Sequence, residues 1–210
     1  MTGKVFAIGF NKCGTTSLHV MFRKSGLRSS HFRHRMPDGT REVIALRMHE
    51  NETLGLPLLD GIDDATFYCD MDMCLSNAYL SGIGRFRELD RQYPGSRFIL
   101  NLRDPANWLR SRSQHRQGGF LRRAMEYSGV RCPDHMRRVW LGQWHDHIAS
   151  VRSYFRDRPQ ALICFDIERD DPARLARFFA DLNVQPRHWS HRNKTTAEPA
   201  APAPRVLAAA

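Results

Sequence analysis

The sequence predicts an α/β fold of the P-loop type, with a central parallel sheet flanked by helices on both faces. Three observations predict it. An apolar run, residues 5–8, leads into Gly9-Phe-Asn-Lys-Cys-Gly-Thr-Thr-Ser17, and helical spacing begins at once with Leu18, Val20, Met21 and Phe22. A second junction of the same kind joins Arg97-Phe-Ile-Leu-Asn-Leu-Arg103 to Asp104-Pro-Ala-Asn-Trp-Leu-Arg-Ser111. Short apolar runs also alternate with amphipathic stretches along the chain, the pattern of a parallel sheet covered on both faces.

Taken in order, residues 5–8 form the first strand, and the helix from 16 to 25 stops at Gly26, a suitable C′ residue. Residues 28–32 form a short second strand, and 40–50 carry helical spacing at Val43, Ile44, Arg47 and Met48. Residues 65–71 are a strand ending in Asp70 and Asp72; residues 85–93 are a helix stopped by Pro94 and Gly95. Strand 98–102 follows, then a helix from 105 to 114 with Asp104 as N-cap and Pro105 at N1. The polar stretch 117–131 reads as a flexible loop or short helix. Val139, Trp140, Trp144, Ile148, Val151 and Phe155 mark a long amphipathic helix over 134–155. A last strand spans 161–165, and Asp171-Pro172 caps a helix over 173–182. The division expected is one domain over residues 1–196 and a disordered Ala/Pro-rich tail over 197–210.

The glycines of the first loop let the backbone turn sharply and aim N–H groups at an anion, helped by the helix N-terminus. The nucleotide-triphosphatase form, G-x-x-x-x-G-K-[ST], has its lysine after the second glycine. Here Thr15 stands in that place and the lysine, Lys12, lies inside the loop. At the second junction, Ser111 comes seven residues after Asp104, about 700° of rotation, and so shares its face. Arg103 and Ser111 are therefore candidates to grip one anion, and the two junctions together predict a ligand with two separated phosphate groups at neighbouring strand ends.

At these residues the chain resembles the sulfotransferase family, whose members carry a K-x-G-T-T loop after the first strand and a later R-[DN]-P-x5-S element. The likeness runs from Val5 to Lys194. It implies that the donor is 3′-phosphoadenosine 5′-phosphosulfate (PAPS), leaving 3′-phosphoadenosine 5′-phosphate as product. Its 5′ end would lie on the loop residues Lys12, Cys13, Gly14, Thr15, Thr16 and Ser17, and its 3′-phosphate on Arg103 and Ser111. The late segment Arg192-Asn193-Lys194-Thr195 is similar to an N-K-[ST] pattern with which some members close over the nucleotide, which makes Asn193 and Lys194 further candidates. One departure is plain: cytosolic aryl sulfotransferases have a tryptophan directly after the loop threonines, and Ser17 stands here, so the adenine contact is unassigned.

Sulfuryl transfer moves a group of lower charge than a phosphoryl dianion, so a lysine and backbone amides suffice where a kinase uses Mg²⁺. Lys12 is the candidate for charge developing on the leaving oxygen. Family likeness places the general base in the segment after the first helix, where His31 comes first and His34 second; Asp70 and Asp72 compete for that role or for acceptor binding. Asp70 alternatively orients Lys12. The H-x-H of His145 and His147 puts two imidazoles about 200° apart on a helix, which does not chelate one ion, so no metal is expected.

The formal charge of +10 attracts polyanions. No zinc-finger spacing or RNA-recognition signature accompanies it, so specific nucleic-acid binding is not expected. A nucleotide carrying several negative charges accounts for part of the excess, and an anionic acceptor for more. The five cysteines form no C-x-x-C pair and fit a reducing compartment; Cys13 is either a thiol activated by the loop or a small loop residue. With no apolar leader and no run of 18 apolar residues, the reading is a cytoplasmic protein without membrane insertion. This separates it from membrane-anchored carbohydrate sulfotransferases. The acceptor, a small molecule, glycan or lipid, and the oligomeric state are not read from the sequence. Two rivals remain at this point: a P-loop kinase of a small metabolite, and a non-catalytic nucleotide- or polyanion-binding protein.

Overall fold

The computed structural model describes residues 3–190. Strand β1 (Val5–Ala7) is fully buried because it lies between two parallel neighbours, and its side chains alternate between two apolar layers. The chain then forms α1 (Thr15–Lys24), β2 (Ser29–His31), β3 (Arg33–Arg35), β4 (Arg41–Val43), α2 (Ile44–Thr53), β5 (Phe67–Cys69), the small hairpin β6 (Asp72–Cys74) and β7 (Tyr79–Ser81), and α3 (Phe86–Gln92). After these come β8 (Arg97–Leu102), α4 (Pro105–Gln114), α5 (Gly119–Ser128), α6 (Pro133–Tyr154), β9 (Leu162–Asp166) and α7 (Ala173–Phe178).

The main sheet has the order β4-β3-β2-β5-β1-β8-β9. From β2 to β9 every neighbouring pair is parallel, which is the predicted central sheet. Helices cover both faces. Phe6, Tyr68, Phe98 and Leu100 pack with Trp108, Trp140 and Trp144 from α4 and α6, together with residues of α2, α3 and α5. Val5, Ala7, Phe67 and Ile99 pack on the other face with Leu18, Met21 and Phe22 of α1 and Leu175 of α7. Asp104 caps α4 as predicted, accepting a 3.0 Å bond from the Asn107 N–H.

Some segments differ from the expectation, and one realises an alternative that the expectation left open. Residues 33–43 form an antiparallel hairpin at the sheet edge, and the helix read from residue 40 begins only at Ile44. The hairpin strands are polar with a single buried member, His34, so they carry no apolar run to announce them. The stretch read as a loop or short helix holds a regular helix, α5, between Gly118 and Gly129, with Phe120 and Ala124 turned inward one turn apart. Helix α7 stops at Phe178, and a 3-10 turn (Ala180–Leu182) completes the segment. The tail over 197–210 lies outside the described residues, as do Asn193 and Lys194.

Candidate active site

The loop after β1 is tied down by a residue that the motifs did not single out. Asn101, fully buried on β8, accepts from the Gly9 N–H at 2.8 Å and donates to the Cys13 carbonyl at 2.9 Å, so one amide joins both ends of the loop. Gly9 is required by this contact, since a Cβ there would lie 2.0 Å from the Asn101 carbonyl oxygen. The loop crown is held from below: the Asn11 carbonyl accepts from Trp108 Nε1 at 3.1 Å, and Asn11 Oδ1 accepts from Arg112 Nη1 at 2.8 Å. Arg112 is buried, its guanidinium 4.8–5.4 Å from the ring centres of Phe10, Trp108, Phe120 and Trp140. It adds a fixed positive charge beneath the loop.

Lys12 adopts a left-handed backbone (φ 68°), and so does Gly14 (φ 75°), the N-cap of α1, which has no side chain to cap the first turn. Lys12 Nζ lies 3.4 Å from His115 Nδ1 at the end of α4. Burial lowers the Lys12 pKa; Asp70 opposes the shift and Arg103 reinforces it. His115 is pushed down to about 4, by burial first and by the Lys12 charge second, so the neutral ring accepts from the lysine. Cys13 turns into the core, where burial pushes its thiol far up. The activated-thiol alternative fails for that reason. The Cys13 N–H is itself used within the loop, by the Phe10 carbonyl at 3.3 Å.

His31, the last residue of β2, stands directly against this loop. Its Nε2 is 3.2 Å from Thr15 Oγ1, 3.4 Å from Thr16 Oγ1 and 3.7 Å from Asp70 Oδ2. Asp70 sits just past β5 with φ 56°, and its carboxyl is raised by burial, with Asp72 adding and His31 and Lys12 opposing. The other two base candidates are occupied. Asp72 accepts from the Tyr79 hydroxyl, the Ser81 hydroxyl and the Ile83 N–H at 2.7, 3.2 and 3.1 Å, which makes it the brace of the β6–β7 hairpin. His34, 1 % exposed, is bonded to Ser30 at 2.9 Å and faces Asp64 at 2.9 Å. His147 donates to the Ile8 carbonyl at 2.6 Å and is a core contact of β1.

On the opposite side of the loop, Arg103 donates through Nε to Glu168 Oε1 at 2.7 Å and through Nη1 to the Lys12 carbonyl at 3.4 Å. Glu168 also accepts from Asn107 and from the Asp104 N–H. Burial opposes ionisation of Glu168, but these bonds hold its pKa below the usual value. Ser111 is on α4 as expected, yet only 3 % exposed.

These groups line one cleft of about 1210 Å³ at the carboxyl ends of the parallel strands. Lys12, Gly14, Thr15, Thr16, Ser17, His31, Asp70, Arg103 and Ser111 all border it, with His115, Arg116 and Arg123 closing one wall and Ile167 and Trp189 another. Asn101, His115 and Glu168 are the site residues that sequence reasoning missed. Of these, Asn101 left a trace, as a lone amide within an apolar strand. Among the described residues no helix is long and apolar enough to cross a membrane. Residues 4–161 match the family model described as the sulfotransferase domain. No curated protein matches the chain.

Proposed function

We propose, since this chain belongs to the sulfotransferase family, that it transfers a sulfuryl group from PAPS to a hydroxyl or amine of an acceptor in the cytoplasm. PAPS brings the activated sulfuryl group on its 5′-phosphate. The observation that carries the reading is the placement of a potential proton acceptor, His31 Nε2, within 3.2–3.4 Å of two hydroxyls of the glycine loop. A passive nucleotide binder has no need of such a base at that point.

The donor set fits an adenosine ligand with an anionic group at each of its two ends. Lys12 and the first turn of α1 serve its 5′ end, with Lys12 set against charge developing on the bridging oxygen. Burial makes that ammonium a stronger electrostatic partner than a solvated one. His115, neutral near pH 7, holds Lys12 in place. His31 takes the proton of the acceptor, and Asp70 stabilises the imidazolium that results. Arg103 serves the 3′-phosphate with the N–H groups left beside Glu168, and Ser111 lies at the floor of the same wall. Five unpaired thiols accord with a reducing compartment.

The test is transfer of labelled sulfate from PAPS to a pooled acceptor set, run with and without a magnesium chelator. Transfer is expected to persist without magnesium and to fall about 10²- to 10³-fold in Lys12→Ala, the usual cost of removing one donor aimed at developing charge. Transfer that requires magnesium and ATP in place of PAPS would identify a kinase and refute the proposal.

A further inference from the structure

In the sulfuryl-transfer reading, the two ends of the donor leave one wall of the cleft open. Arg103, Ile167 and Glu168 follow β8 and β9, on one side of β1; His31 and the β3–β4 hairpin follow β2, on the other. With the 3′-phosphate on the Arg103 side, the hairpin side is left for the acceptor. Pairing places Arg33 opposite Val43, His34 opposite Glu42 and Arg35 opposite Arg41. Side chains alternate across a strand, so Arg33, Arg35 and Arg41 share one face while His34 and Glu42 share the other. All three arginines are exposed and line the cleft, and Arg23 of α1 joins them from a second element.

Several arginines elsewhere among the described residues are paired, among them Arg28 with Asp64, Arg47 with Glu42, Arg97 with Asp181 and Arg103 with Glu168, while others, such as Arg116 and Arg123 on another wall of the cleft, are not. Among the described residues, Arg23, Arg33, Arg35 and Arg41 form no ion pair. Arg35 and Arg41 stand directly opposite each other, and like charges so placed destabilise a hairpin unless an anion lies between them. The carboxylates that border the cleft, Asp70, Asp72 and Glu168, all lie off this hairpin. The arginine face also continues into the reaction centre, because His31 and Arg33 are paired residues of β2 and β3.

We propose that this face selects the acceptor: the hydroxyl or amine presented to His31 is carried by a molecule bearing at least two further oxyanion groups, gripped by Arg33, Arg35 and Arg41. The inference rests on the sulfuryl-transfer reading of the loop. Arginine forks grip carboxylate, sulfate and phosphate alike, so the oxyanion is the shared chemistry.

The experiment is calorimetry on the full chain saturated with 3′-phosphoadenosine 5′-phosphate. The probes are a heparin-derived tetrasaccharide (sulfate and carboxylate), inositol hexakisphosphate (phosphate) and uncharged cellotetraose. Each is titrated into the parent protein, the triple variant Arg33→Gln/Arg35→Gln/Arg41→Gln and the single variant Arg35→Gln. At least one anionic probe is expected to bind the parent, about tenfold or more weaker in the triple variant and severalfold weaker in the single one, while cellotetraose does not bind. The tighter anionic probe identifies the oxyanion. Affinity for the nucleotide should stay within about twofold, since these side chains are placed outside its site. Removing the opposed arginines is expected to leave the melting temperature unchanged or higher, so lost binding is not lost fold; should the triple variant melt early, Arg35→Gln decides. The proposal falls if neither anion binds, if binding survives the triple variant, or if nucleotide affinity drops alongside, which would assign the arginines to the donor. A parent protein that ignores the nucleotide but binds the anions through these arginines would instead sink the sulfuryl-transfer reading, and the acceptor role with it.

Discussion

Replacing Asn101 tests whether a single buried amide shapes the phosphate loop. In Asn101→Ala the Gly9 N–H and the Cys13 carbonyl lose their partner in a place without solvent. Each orphaned buried group costs about 1–3 kcal/mol, and the cavity adds to that, so a loss of about 3–5 kcal/mol is expected. That is a large part of the roughly 5–15 kcal/mol that holds a domain of ordinary stability. Asn101→Asp is the sharper arm. A carboxylate can still accept from Gly9, but its other oxygen then faces the Cys13 carbonyl; only the protonated acid donates there. The Asp deficit should therefore shrink as pH falls through the raised pKa of the buried acid, whereas the Ala deficit should not. Urea denaturation at pH 7.5 and pH 5 measures both, and calorimetry with 3′-phosphoadenosine 5′-phosphate reports the loop, with at least about a tenfold weakening expected for Ala. An Asn101→Ala protein within about 0.5 kcal/mol of the parent, with unchanged nucleotide affinity, would refute the reasoning.

Arg103→Ala is expected to weaken 3′-phosphoadenosine 5′-phosphate by about 10- to 100-fold, the worth of a charge-assisted bond, while Glu168→Gln, which withdraws a competing carboxylate, should strengthen it; calorimetry decides, and equal affinities in all three proteins would remove both residues from the site. Iodoacetamide at pH 8 should alkylate the exposed Cys132 and spare Cys13, whose thiol burial pushes up; peptide mass spectrometry showing Cys13 modified first would contradict this placement. His19 and His115 are each pushed from 6.5 down to about 4, chiefly by burial, so the folded protein binds fewer protons than the unfolded chain between those values. Stability is then full above about pH 6.5 and declines as pH falls toward 4. Scanning calorimetry should show the melting temperature dropping from pH 7.5 to 5, and dropping less in His19→Gln/His115→Gln; identical profiles would exclude these rings as the cause.

The parts of the fold that could be read from the sequence are those where local and long-range demands coincide. β1 with its loop, and Asp104-Pro105 opening α4, carry both an apolar run and a start signal, and they stand where expected. The β3–β4 hairpin carries neither, because an edge strand needs no apolar pattern on a solvent face, and Glu42 with Val43 merges into the helical spacing that follows. In the site, the Lys12 and Arg103 junctions announced themselves through spacing. His115 did not: it meets Lys12 only because α4 crosses over the loop, 103 residues further along the chain. Glu168 is likewise brought to Arg103 by the pairing of β8 with β9 and by nothing local. Asp70 and Asp72 could not be told apart as letters, and both border the cleft; three-dimensional bonding distinguishes Asp72, saturated by three donors, from Asp70, which lies 3.7 Å from His31.

The main sheet ends on one flank in β4, a three-residue strand beside which no further strand pairs among the described residues. Short length and neighbouring cations discourage strand-to-strand joining between molecules at such a rim. Arg41 sits on that rim with Arg35 immediately behind it, so the charges proposed to grip the acceptor also oppose the approach of a second copy along this edge. Neutralising them with bound polyanion would lift that repulsion, and crowded solutions of the saturated protein would be where association through this flank first becomes visible.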